Sequence, residues 1–513
     1  MTRSSEFRCK RGAMAVSRTR WGLLAAAIVL AIAVPAAAHV GSPDVFFEGD
    51  AGPYHLFVTI RVPQVIPGIA EIEVRTASPD AQTVQFVPMR LSGAGSNLPP
   101  IPDLAQKSRQ DPQFFTGSLW LMEFGALKVR ITVEGGKGKG ELSVPVPAFA
   151  QRTLPMERPL GGLLLALTAF LVLSMVFIAG AAVREGNLAP GEQPTPSRMR
   201  RARIVMGITA VVVLAVLFLG NRWWGAEIRN HQRVVNLFKP PVAETKIENG
   251  NRLIITARGQ DPRWSKEVRM EDVIPDHGHL MHLFLIRTPG IDKMWHLHPQ
   301  PVEGGKFAED LPSMPAGKYQ IFADVVDKSG FPWTLVGAID LPEIKGKALD
   351  GDDSSWSGAP LAGSKEMSPA ESSVATLSDG GLMVWQRAPG VLRSGVPMDF
   401  RFVVEDKDGK PVESLEPYMG MAAHAEFVSS DMSVFAHVHP AGSVSMAALE
   451  LTRTDAGMAS MSMPMPSGPF PPEVSFPYGF PKAGDYRTFV QVRTRGTGGR
   501  PVVQTAAFDA HVE

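Results

Sequence analysis

The chain has 513 residues, enough for several domains, and its 51 basic residues balance 51 acidic ones, so nothing in the charge points to nucleic acid as a partner. Its single cysteine, Cys9, precedes the first apolar segment. For the exported part of the chain this excludes disulfides, thiolate copper or zinc sites, iron–sulfur clusters and covalent c-type haem, leaving His, Met, Asp, Glu and backbone as metal ligands.

In chain order, residues 1–20 carry Arg3, Arg8, Lys10, Arg11, Arg18 and Arg20, followed by an uncharged run ending Ala36-Ala37-Ala38. A basic region, an apolar region and a small-residue end predict a secretory signal peptide over 1–38, cleaved after Ala38. An uncleaved anchor is the alternative, and Met14 is a second candidate start. Residues 39–150 follow as short alternating runs punctuated by Gly and Pro, the pattern of an immunoglobulin-like sandwich. Residues 160–183 and 204–221 are then nearly free of charge, and each reads as a transmembrane helix. The loop between them, 184–203, holds Arg184, Arg198, Arg200, Arg201 and Arg203 against Glu185 and Glu192. The positive-inside rule places that loop in the cytoplasm and the rest outside, on the periplasmic face of an inner membrane. Neither span has an ionisable residue, so the hairpin reads as an anchor in the lipid bilayer and not a transporter.

The second half is an internal repeat. Met294-Trp295-His296-Leu297-His298-Pro299 returns as Phe435-Ala436-His437-Val438-His439-Pro440, and Ala316-Gly317-Lys318-Tyr319-Gln320-Ile321-Phe322 returns as Ala483-Gly484-Asp485-Tyr486-Arg487-Thr488-Phe489. The two copies are predicted as β-sandwiches over 246–342 and 378–513, joined by a Ser-, Gly-, Asp- and Pro-rich linker over 343–377. The expected fold is therefore mainly β: three immunoglobulin-like β-sandwich domains plus a two-helix transmembrane hairpin.

Alternate residues of a strand share a face, so each His-x-His sets two imidazoles side by side. An upstream histidine stands 14 residues before the first pair (His282 to His296) and 13 before the second (His424 to His437). With a hairpin turn between, each upstream ring lies opposite its pair. Two triads are predicted: His282, His296 and His298, and His424, His437 and His439. His277 and His279 have the wrong parity for the first triad and are expected on the opposite side or at a separate surface site. Met419 and Met421, just before His424, are candidate thioether ligands. From the last histidine to the shared glycine is 19 residues in the first copy (298 to 317) and 45 in the second (439 to 484), and the 26 extra residues include Met458, Met461, Met463 and Met465. Imidazole suits Cu(II) and Zn(II) and thioether selects Cu(I), so copper is expected ahead of zinc. An ordinary imidazole pKa of about 6.5 predicts affinity falling below that pH.

Cleavage after Ala38 makes His39 a terminal residue whose α-amine and ring can chelate one ion. In this the chain resembles CopC-like periplasmic copper proteins, which begin with histidine after the signal peptide. Phe124-Gly125-Ala126-Leu127-Lys128-Val129-Arg130-Ile131 resembles the closing strand of YtkA-like extracytoplasmic domains. His279-Leu280-Met281-His282 and the two His-x-His-Pro turns resemble uncharacterised bacterial membrane or periplasmic proteins linked with heavy-metal handling. These resemblances imply copper handling, with His39 as a ligand. No nucleophile motif, phosphate loop or paired-carboxylate frame is present, so no enzymatic role is expected. Two readings stay open: a membrane-anchored copper-binding protein that buffers or delivers copper to a donor or acceptor, and an assembly module of a membrane complex with structural histidines.

Overall fold

The computed structural model describes residues 39–513 apart from 41–43, 94, 97, 155, 190, 235–236, 261–268, 362–372, 455–467 and 497–498. The expected signal peptide and the four insertion methionines lie outside the described residues. The architecture is mainly β, with sandwich layers and a helical hairpin.

The first domain pairs a five-stranded sheet, in which Asp44–Ala51, Tyr54–Arg61, Gly68–Thr76 and Phe114–Leu121 run side by side, with a four-stranded sheet centred on Gly125–Gly135. Alternation fixes its core: Tyr54, Leu56, Val58 and Ile60 all point inward from one strand.

Two helices follow, Arg158–Glu185 and Pro196–Val234. Both are long and apolar enough to cross a membrane, and their apolar windows are almost wholly exposed. The second starts earlier and ends later than its charge-free run. Arg198, Arg200, Arg201 and Arg203 therefore ride on its opening turns, and Trp223 and Trp224 lie inside it. At ~1.5 Å per residue a helix of 39 residues outruns a hydrocarbon layer of ~30 Å, so it projects beyond the span.

The repeats share a hairpin and the strands beside it, although the first forms one ten-stranded sheet and the second two sheets, of five and four strands. In the first, His282–Thr288 and Lys293–Leu297 form an antiparallel hairpin beside Gly317–Asp327. In the second, Ala423–Ser429 and Val434–Val438 do so beside Gly484–Arg495. On each hairpin, one set of alternate residues fills the domain's own core: Leu283, Leu285, Trp295 and Leu297 in one, and Ala423, Ala425, Phe427 and Val438 in the other. The other set faces the partner repeat. Phe284, Ile286, Met294 and Phe322 pack there against Val428, Phe435 and Phe489, with Phe322 stacked on Phe435 at 4.3 Å. The two sheets thus meet face to face through equivalent surfaces, as in an isologous dimer folded into one chain.

A buried ion pair locks this interface. Arg487 grips Asp509 through two hydrogen bonds, at 2.6 and 2.7 Å, and donates to the carbonyls of Ile291 and Ala359 from the other repeat and the connecting segment. Replacing one member of a buried pair strands the other charge, so Arg487→Met is expected to destabilise the paired repeats by ~3–5 kcal/mol, measured by denaturant unfolding. Arg487→Lys is expected to be nearly as damaging, because a point charge cannot hold two carboxylate oxygens and two carbonyls together.

The segment whose composition reads as a linker is partly structural. Ser354–Ser357 adds an edge strand to the first repeat beside Lys293–Leu297, and Trp356 packs on Phe489 of the second. The insertion of the second repeat carries a helix, Met446–Thr454. Its approach docks on the first domain, where Glu48 N–H donates to the Ala441 carbonyl and Val444 and Leu449 join that domain's core.

Candidate metal centre

Eight of the chain's 12 histidines gather where the two repeats meet. Strand alternation delivers six of them. His282 shares its face with Phe284 and Ile286, His296 with Met294, His424 with Val428, and His437 with Phe435, and each His-x-His continues that face to its second ring. The histidines occupy one end of the apolar interface.

His277 and His279 arrive by another route. Asp276 and His279 close a tight turn with reciprocal backbone hydrogen bonds, and its two central residues, His277 and Gly278, have φ of 53° and 84°. Positive φ at both positions is the geometry glycine favours and other residues adopt at some cost. This turn swings His277 toward the second repeat, while His279 stacks on His298 at 3.8 Å and bonds Asp352. The second repeat holds the same turn, Tyr418 to Met421, with Met419 and Gly420 at φ 49° and 76°. Met419 and Met421 are thus the counterparts of His277 and His279, and both are buried, with the Met419 backbone beside the His277 ring.

Two groups of three rings have ligand nitrogens within 4.8 Å of one another. The first is His282, His296 and His298, as strand parity predicts. The second is His277, His424 and His439, in which His277 of the first repeat takes the place expected for His437. His437 instead sits between the groups, its Nδ1 3.5 Å from Asp324 and its Nε2 buried without a partner. The reason is the crossover turn: it inserts His277 between His424 and His439, with ring centroids at 5.0 and 4.6 Å. The second group therefore belongs to neither repeat alone.

In the first group the acceptors fix every tautomer. His282 Nε2–H donates to the Asp276 carbonyl at 3.1 Å, His296 Nδ1–H to Gln491 Oε1 at 2.9 Å and His298 Nδ1–H to Asp353 at 2.9 Å. The remaining lone pairs, on His282 Nδ1, His296 Nε2 and His298 Nε2, converge. Two of them face each other at 3.1 Å with no hydrogen to share, and the third is buried with no partner among the described residues. Facing lone pairs repel unless a cation lies between them, and this is the outer-shell pattern that holds metal-binding imidazoles in place. In the second group His439 Nδ1–H donates to the Val444 carbonyl at 3.1 Å, which turns its Nε2 to His277 Nε2 at 3.1 Å. Among the described residues neither ring nitrogen of His424 has a hydrogen-bond partner, and neither does Nδ1 of His277.

Interface symmetry extends to these supports. Gln491 of the second repeat orients His296, and Asp324, its counterpart in the first, faces His437. Asp352 and Asp353 come from the segment read as a linker. Asp353→Ala is expected to weaken metal binding at the first group by ~10–100-fold with little effect on the second, checked by competition titration.

Burial, more than any neighbour, depresses the imidazoles. His277 and His439 fall to about 3, and His282, His296, His298, His424 and His437 also lie below the usual value. Burial thus favours the neutral, ligand form of these rings in the folded chain, so acid is expected to weaken binding at a lower pH than an ordinary imidazole predicts. Burial also raises the nearby carboxyls: Asp324 to about 7, Asp353 to about 6, and Glu426, opposite His437, well above its ordinary value with both oxygens unpartnered.

The remaining site candidate, His39, pairs its backbone with Val434, five residues along the strand from His439 and so ~16 Å away at ~3.3 Å per residue. The fold does not bring it to the cluster.

Residues 376–513, the second repeat, match the family model of a domain of unknown function (DUF8832). No curated protein matches the chain. Among solved structures the chain is similar to dimeric latent PorU from Porphyromonas gingivalis, at 10% identity over 92% of this chain and 34% of that one, with a TM-score of 0.13. It is also similar to a D1–D4 ectodomain fragment of ICAM-5, at 10% identity over 90% and 83%, TM-score 0.13, and to SGBP-B of a xyloglucan utilization locus in Bacteroides uniformis, at 7% over 89% and 98%, TM-score 0.16. The chain spans about a third of the PorU chain. At these TM-scores none of the three bears on fold or function.

Proposed function

We propose that this is a membrane-anchored, extracytoplasmic copper-binding protein that buffers or delivers copper, holding one ion in each histidine group. The observation that carries the reading is the first group: three buried rings, each pinned through one nitrogen to an oxygen, with ligand nitrogens within 4.8 Å of one another. Copper is preferred over zinc because no cysteine follows Cys9 and because Met419 and Met421 lie buried in the turn opposite the one that carries His277 and His279. The arginines opening the second helix and the signal peptide expected over 1–38 are the sequence features that support a periplasmic placement. The CopC- and YtkA-like resemblances of the first domain belong to the same proposal, with the hairpin as anchor and a copper donor or acceptor as partner.

The test is titration of the full chain in detergent with Cu(II), Cu(I) and Zn(II) against chelators of known affinity. Two ions bound per chain, tighter than micromolar and with copper ahead of zinc, are expected. A chain that binds no ion in that range, or binds equally after His296→Ala and His298→Ala, rejects the proposal and favours structural histidines.

A further inference from the structure

The two histidine groups are neighbours across a common space. Ring centroids of His277 and His282, one from each group, lie 6.0 Å apart, and His437 stands 5.4 Å from His282 and 4.7 Å from His439. A single cleft, formed where the first domain meets both repeats, is lined by His282 of one group, His439 of the other, His437 between them, and the carboxyls of Asp44, Asp276 and Asp324. Toward the first domain its walls are apolar, with Leu91, Leu127, Val146 and Phe149.

Three imidazoles do not complete the coordination of a copper or zinc ion, and a three-ligand protein site keeps a position for an exogenous molecule. We propose that the open positions of both groups face this cleft, so that one small anion of the azide class is shared between two bound copper ions. This rests on the copper reading above. Three features support it. Each group contributes a ligand ring to the same cleft wall. His437 leaves a buried, unpartnered Nε2 between the groups, marking polar space that the protein itself does not fill. The ligand rings of both groups are neutral, so two divalent ions bring four positive charges beside only a few outer carboxyls, and an anion between them offsets part of the excess. The apolar approach admits a small, weakly hydrated ligand more readily than a strongly hydrated one.

The experiment uses the full chain in detergent, loaded to two Cu(II) per chain by metal analysis and titrated with sodium azide. Azide-to-copper charge transfer is followed optically, and the Cu(II) spin count by electron paramagnetic resonance. The expected result is saturation at one azide for two coppers, with the spin count falling at least about twofold as the bridged ions couple. One azide per copper with the spin count unchanged, or no azide uptake by the dicopper chain, overturns the sharing while leaving the copper reading intact. A chain that never retains two coppers fails at the loading step, which rejects the copper reading itself. The wild-type chain suffices, so the result does not depend on a variant folding.

Discussion

Copper at a thousandfold excess over its dissociation constants is expected to raise the unfolding free energy of the paired repeats by about 8 kcal/mol, since each filled site stabilises only the folded chain and contributes ~4 kcal/mol. The gain is expected to divide by group. His296→Ala with His298→Ala should remove about half of it, and His277→Ala the other half. The His277 variant is the more informative, because that ring reaches from the first repeat to His424 and His439 of the second. Without it, metal should no longer bridge the two repeats directly through this group, and only the first group's share of the stabilisation should remain. Equal unfolding curves for copper-loaded and chelator-treated protein would contradict this.

The second large effect is on the metal-free chain in acid. Seven imidazoles have folded values below the unfolded one of about 6.5, so unfolding takes up protons at these rings and stability is lost as pH falls below it. Four carboxyls oppose them: Asp324 and Glu309, raised to about 7, Asp353, raised to about 6, and Glu426, also raised. These are protonated when folded and ionised when unfolded, so they add stability as pH falls through their folded values. The depressed rings outnumber the raised carboxyls seven to four, so the balance is a net uptake of protons on unfolding, and the metal-free repeats are expected to lose stability as pH falls below about 6. Denaturant midpoints measured from pH 7 to 4 check this, and a flat profile would mean that the rings are not buried as described.

Much of this was readable from the sequence, and what was not has identifiable causes. The first triad followed from strand parity and a hairpin turn, and both hold in the fold. His277 was misplaced because parity applies only along a strand, and this residue sits on the left-handed position of a tight turn that redirects it across a domain boundary. Its turn was nevertheless legible: His277-Gly278 and Met419-Gly420 each stand the same distance before His282 and His424. Gln491 and Asp324 lie just past the matched repeat segment, and carrying that match two residues further would have set them side by side. Asp352 and Asp353 gave no such signal, since a Ser-, Gly- and Asp-rich stretch has a linker's composition whether or not two of its carboxylates hold histidines.

The most direct measurement is anomalous diffraction at the copper edge from crystals of the copper-loaded chain. The account predicts two peaks at the repeat interface. One lies about 2 Å from His282 Nδ1, His296 Nε2 and His298 Nε2, and the other at a similar distance from His277 Nε2, His439 Nε2 and a ring nitrogen of His424. An interface with no peak, or copper bound only at surface histidines such as His55 and His511, would contradict it.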